Sequence, residues 1–203
     1  MLSVRLKSDW EILHIRAICF RVCGAVSERL ELSSAIDVDA MGSTVNPRIT
    51  VRRISSEKEL EQAMRIRIRV FVREQGVPAE IELDDDDKRA FHLLASLGGR
   101  AVGTARIVMR GDQAKIGRMA VLKSHRRKKV GRKLLTRALL TAKKHGARKV
   151  YLHAQVAVLR FYESAGFRCV GPVFDEAGIA HRKMILAPSM PASTKTQRRN
   201  RRP

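Results

Sequence analysis

Apolar positions through the middle of the chain recur with two alternating periods, one of two residues and one of three to four. Ile49–Ile54 alternates and predicts a strand. Ser55 or Ser56 caps a following helix, with Glu57 and Glu59 in its first turn, where the positive helix end favours acids. Leu60, Met64, Ile68 and Phe71 mark its buried face, and Gly76-Val77-Pro78 ends it. Phe91–Leu97 and Ala101–Met109 are apolar runs joined by Gly98-Gly99, a hairpin signal. Arg110-Gly111-Asp112-Gln113 turns the chain into a further strand, Ala114–Leu122. Val130–His145 carries Val130, Leu134, Leu135, Ala138, Leu139 and Ala142 on one helical face, and Gly146 closes it. Lys149–Ala154 is a strand and Val158–Ala165 a short helix stopped by Gly166; Phe167–Phe174 and Arg182–Leu186 are the final strands. The order β-α-β-β-β-α-β-α-β-β mixes hairpins with helical crossovers. It predicts an α/β fold, a mixed sheet with helices on both faces.

The ends behave differently. Residues 1–47 follow neither period, and Gly42-Ser43-Thr44-Val45-Asn46-Pro47 reads as a linker, so 1–47 is expected to be an N-terminal extension, all of it before the linker removed by a start at Met41. From Pro188 the chain is rich in Pro and Ser and ends in the basic run Arg198-Arg199-Asn200-Arg201-Arg202, which predicts a disordered tail over 188–203. One domain, 48–187, remains from the 203 residues, in keeping with about 100–200 residues per domain. Hydrophobic residues make up 44% and aromatics only 4%, so the core is aliphatic. Arg16 and Arg21 break the patchy apolar segment Ile12–Val26, and nothing reaches the roughly 18 apolar residues of a membrane span. Cys19, Cys23 and Cys169 are odd in number, which fits free thiols in the cytoplasm. No His or Cys spacing resembles a ligand pair, so no metal is expected.

The formal charge of +21 changes the picture, because such a field draws polyanions. Nucleic acid, an anionic surface and a phosphorylated cofactor all fit it. One place gives the charge a shape. After the strand ending in Met119-Ala120-Val121-Leu122, the turn Arg126-Arg127-Lys128-Lys129-Val130-Gly131 leads into Arg132 and the long helix. A helix N-terminus presents free N–H groups to phosphate, and Gly131 lets a ligand approach the backbone. By itself the turn reads equally as a solvated basic loop.

The turn resembles the signature of the GNAT superfamily of N-acetyltransferases, Arg/Gln-x-x-Gly-x-Gly/Ala, between the fourth strand and the third helix. Arg126 and Gly131 match its outer positions, and Lys129 replaces its first glycine. Downstream, Phe161-Tyr162-Glu163-Ser164-Ala165-Gly166-Phe167 resembles the family's FYExxGF motif. Leu152-His153-Ala154-Gln155, Gly171–His181, Arg69–Gln75 and Glu82-Leu83-Asp84 are similar to a bacterial branch, the ElaA/YjcF-like acetyltransferases. The resemblance covers about residues 49–187. It implies a mostly antiparallel sheet of six to seven strands, splayed between strands 4 and 5.

The resemblance also implies roles. Acetyl-CoA is the co-substrate and a primary amine of a small molecule or peptide the acceptor. Main chain at Met119, Ala120 and Val121 would meet the pantetheine and thioester. Arg126, Arg127, Lys128, Lys129, Val130, Gly131 and Arg132 would hold the phosphates, and Gln155 stands where an asparagine often contacts CoA. Tyr162 is the expected acid, with Glu82 and His153 as candidate bases. Asp84–Asp87 reads as solvated charge, and His92, His153 and His181 read more readily as structural histidines. A homodimer is common among such proteins. Two other functions compete. One is a basic nucleic-acid or ribosome-associated module, favoured by the charge and tail, which could touch RNA nonspecifically, but opposed by scarce aromatics and no helix-turn-helix or zinc spacing. The other is a non-catalytic acyl-CoA binder, opposed by Tyr162 and Gly131.

Overall fold

The computed structural model describes residues 48–187. The expected extension 1–47, with Cys19 and Cys23, and the basic tail lie outside the described residues. β1 (Ile49–Arg53) leads into α1 (Glu57–Arg67), capped by the Ser56 hydroxyl, which accepts from Glu59 N–H at 3.3 Å. The same helix runs on as a wider π-helical stretch, Ile68–Glu74, a widening that the sequence pattern does not signal. A short α2 (Ala79–Glu82) and a 3₁₀ turn (Asp85–Lys88) follow. β2 (Phe91–Leu97), β3 (Arg100–Arg110) and β4 (Gln113–Val121) form an antiparallel meander. Gly98 and Gly99 both take the left-handed backbone that the first hairpin turn needs. Then come α3 (Val130–Lys144), β5 (Lys149–Gln155), α4 (Leu159–Glu163), β6 (Phe167–Glu176) and β7 (Ile179–Leu186).

The seven strands lie in the order β1-β2-β3-β4-β5-β7-β6, and only β4 and β5 run parallel. α3 covers one face through Val130, Leu134, Leu135, Ala138 and Ala142, which pack on Leu93, Ile107, Ile116 and Leu152. α1 covers the other through Ala63, Ile66 and the π-helical Val70, packed on Leu94 and Ala120. The mixed sheet with helices on both faces is as the pattern predicts. No helix among the described residues is long and apolar enough to cross a membrane.

Two irregularities shape the centre. β4 and β5 pair only at Gln113/Lys149, Ala114/Val150 and Lys115/Tyr151, after which they diverge. A gap therefore opens in mid-sheet, beside Gly117–Val121 on one side and Leu152–Gln155 on the other. In addition, β4 carries a bulge. Thr104 pairs with Ala120 but Arg106 pairs with Gly117, so β4 holds one residue more, and Arg118 takes a φ of 49°. An extra residue exchanges the two faces of a strand. Hence Ala114 and Ile116 face α3, Ala120 faces α1, and Met119 and Val121 return to the α3 side.

Candidate active site

A cavity of about 620 Å³ runs from the basic turn through the gap to the sheet face beside α2. At its basic end α3 begins without a side-chain cap. The first backbone bond of the helix is Lys133 N–H to Lys129 O, 3.1 Å, so the N–H groups of Val130, Gly131 and Arg132 have no acceptor in the helix. Arg127 (φ 62°) and Lys129 (φ 64°) both hold left-handed backbone. Lys129 thus adopts a glycine-like conformation without being glycine, at a cost of about 1–2 kcal/mol. Arg126 binds both carboxylate oxygens of Glu74, at 2.5 and 2.7 Å, and donates through Nε to Val121 O at 3.1 Å.

The middle of the cavity is narrow in chemistry. Leu122 N–H donates to Val102 O, and alternate residues of an antiparallel strand direct their polar groups the same way. Ala120, paired with Thr104, therefore turns its main chain to β3, whereas Met119 and Val121 turn theirs toward the gap. Tyr162 projects from α4 with its hydroxyl 3.7 Å from Met119 Sδ and its ring edge-on to Phe161 and Phe167. Burial pushes its phenol up to about 12, so the group is a held proton, not an anion. Gln155 Nε2 reaches across to Gln75 Oε1 at 2.9 Å.

The far end is built on the α1 face of the sheet. His153 Nδ1 lies 3.0 Å from Glu176 Oε2, and its ring meets Phe174 edge-on. That hydrogen bond, above all, holds the Glu176 carboxyl down at about 2. Lys115 and His181 line the same region. Glu82 lies there too, buried, with Oε1 2.6 Å from Arg67 Nε and Oε2 3.1 Å from Arg118 Nε. Burial pushes its carboxyl up, against the pull of both guanidinium groups.

Asp85 is exposed as expected, but Asp84, Asp86 and Asp87 are not simply solvated charge, and here the sequence expectation is corrected. Asp87 is buried and binds Arg67 Nη1 at 2.7 Å and Arg106 Nη1 at 2.8 Å. Asp84 pairs with Arg106 and Arg118, and Asp86 with Arg89 and Arg110. Burial alone would raise the Asp87 carboxyl, but the two guanidinium groups hold it far below the usual range. His92 belongs to the same structure, its Nε2 2.9 Å from Asp87 O. These pairs clamp α2 and its loop onto β3 and β4, and so fix one wall of the cavity.

Of the residues singled out in the sequence, Met119, Val121, Arg126, Arg127, Lys129, Gly131, Arg132, Gln155, Tyr162, Glu82 and His153 line this cavity together. Ala120 and Val130 are buried in the two cores, and Lys128 is exposed at the turn outside the lining. Sequence reasoning passed over Glu176, Lys115, Arg118 and Gln75. Each is an ordinary polar residue until the sheet brings it to the gap.

The chain's likeness to other proteins agrees with this geometry. The profile of the acetyltransferase (GNAT) domain matches residues 54–188. An uncharacterized N-acetyltransferase of Bacillus subtilis, YjcF, is 36% identical over 131 residues, 64% of this chain and 94% of that protein. The crystal structure of Escherichia coli ElaA superposes with a TM-score of 0.61 at 32% identity, covering 70% of this chain and 99% of ElaA. An acyl-CoA N-acyltransferase from Pseudomonas aeruginosa gives 0.58 at 29% identity, over 70% of this chain and 99% of that one.

Proposed function

Because the chain belongs to the GNAT acetyltransferase family, we propose that it moves an acetyl group from acetyl-CoA directly to a primary amine. The observation that carries this is the gap between β4 and β5, with an uncapped helix N-terminus at one end and a half-buried tyrosine in the middle. The free N–H groups at Val130–Arg132 and the cations Arg126, Arg127, Lys129 and Arg132 suit the CoA phosphates, with Lys128 beside them. Arg126 is held by Glu74 in a half-exposed pair, and such pairs contribute only about 0–1 kcal/mol. Exchanging Glu74 for a diphosphate therefore costs little. Main chain at Met119 and the N–H of Val121 face the gap where an extended pantetheine arm would lie, while Val121 O is held by Arg126 Nε.

Bound acetyl-CoA supplies an acyl carbon already activated by sulfur. The protein's own tasks are to position the amine, receive a proton from it and return one to the leaving sulfur. His153 fits the first proton transfer: Glu176 fixes its Nδ1, and Nε2 has no hydrogen-bond partner among the described residues. Glu82 fits less well, because both its oxygens are committed to arginines. We assign it to holding the wall. Tyr162, kept protonated by burial, donates to sulfur, and the displaced amine proton restores the balance, leaving an amide and a free thiol. Free-thiol release from acetyl-CoA, screened across amines, amino acids, polyamines and peptides, tests this. Amine-dependent thiol with an equal yield of acetylated product is expected; thiol release indifferent to every amine is the contrary result.

A further inference from the structure

The acceptor end of the cavity holds one cation that no acid touches. Arg67, Arg106 and Arg118 are matched by Glu82, Asp84 and Asp87, group against group. Glu176 is hydrogen-bonded to His153 and attracts Lys115 only through space. Lys115, half-buried in the same lining, makes no hydrogen bond or ion pair with any described residue. It sits in the last β4–β5 pair, at the apex of the gap, on the same sheet face as His153. Beside it, Arg106 has a buried Nε–H without an acceptor. Burial pushes the Lys115 ammonium below its ordinary value, against the pull of Glu176. A buried cation is costly until an anion meets it. The lining also includes the apolar Val70, Val77, Ile81 and Val108, the last paired with Lys115 across β3 and β4.

From this we infer that the acceptor is a zwitterion, an amine bearing a carboxylate, with Lys115 binding the carboxylate while His153 and Glu176 face the amine. The inference rests on the acetyl-transfer reading and deepens it. Glu82, Asp84 and Asp87, which would otherwise favour a plain cationic amine, are spent on arginines. A primary polyamine would leave Lys115 unmatched and add a second positive charge beside it. An amino acid satisfies both ends.

The test compares each common amino acid with its own α-amide, which lacks the carboxylate charge; because the amide's amine is also less basic, KM is expressed per neutral amine. In acetyl transfer the acid is expected to have a KM about 10- to 100-fold lower than its amide, the range of one charged hydrogen bond. Lys115→Met should bring the two KM values together, and Lys115→Arg should restore part of the difference. Melting temperature, followed alongside, should stay close to that of the wild type, since Lys115 holds no protein partner. Equal or better use of the amides by the wild type overturns the inference, as does a Lys115→Met change that raises both KM values alike. Calorimetry with N-acetyl amino acids and their amides gives the same comparison without turnover. If no amine releases thiol, acetyl transfer fails as a reading. A calorimetric preference for the N-acetyl acid, lost in Lys115→Met, would then still support the anion site, and its absence would remove it.

Discussion

The Tyr162 hydroxyl lies 3.7 Å from Met119 Sδ, which places the half-buried phenol of α4 against the strand edge that faces the gap. Nothing charged competes for it, and burial alone keeps its proton on. Tyr162→Phe removes the proton and little volume. It should lower kcat about 10²- to 10⁴-fold, the usual weight of a positioned acid, with the affinity for CoA nearly unchanged. Unchanged kcat takes Tyr162 out of the acid role.

Lys129 separates backbone from charge at the phosphate end. Lys129→Gly relieves the left-handed residue and should raise stability by about 1 kcal/mol, while Lys129→Ala keeps the strain. If side-chain charge does much of the binding, both variants weaken CoA binding alike. The wild type's affinity should also fall steeply from about 0.1 M to about 1 M salt, as the screening length drops from about 10 Å to about 3 Å. A flat salt response, or a glycine variant that binds CoA more tightly than wild type, contradicts this.

Asp87 joins Arg67 to Arg106 in the clamp behind the site. Its folded pKa lies below the unfolded value near about 3.9, so its contribution is present above that pH and is lost as the pH falls below it. Asp87→Asn leaves two guanidinium groups short of a carboxylate and should cost about 3–5 kcal/mol. Chemical denaturation at several pH values reads both effects. The variant should lose the part of the acid dependence that Asp87 contributes.

His153 and Glu176 act as one unit at the acceptor end, the carboxylate fixing the ring through Nδ1 at 3.0 Å. Glu176 stays ionised down to about 2 and Tyr162 protonated up to about 12, so neither changes charge near neutrality. His153→Gln should lower kcat about 10²- to 10⁴-fold, the usual weight of a positioned base. Glu176→Gln keeps a hydrogen-bond partner for the ring and should lower it by less. A His153→Gln enzyme with the wild-type kcat excludes His153 as the base.

Periodicity was enough to locate the strands, the α3 face and the basic turn, because each depends on neighbours within a few residues. Tyr162 was legible through its motif. What escaped the sequence depends on distance along the chain. Glu176 reaches His153 from 23 positions away, and Arg118 meets Asp84 from 34. A run of four aspartates looks solvated until Arg67, Arg106 and Arg118 converge on it from three elements. Lys115 carries no local signal; its meaning comes from standing where β4 and β5 part.

The most direct measurement follows acetyl-CoA and an amine together, counting free thiol and acetylated amine in one reaction with wild type and Tyr162→Phe. Thiol and product should appear in equal amounts, only when both substrates are present, and far more slowly in the variant. Failure of the wild type to bind CoA even at millimolar concentration, or thiol release that ignores the amine, contradicts acetyl transfer through the β4–β5 gap.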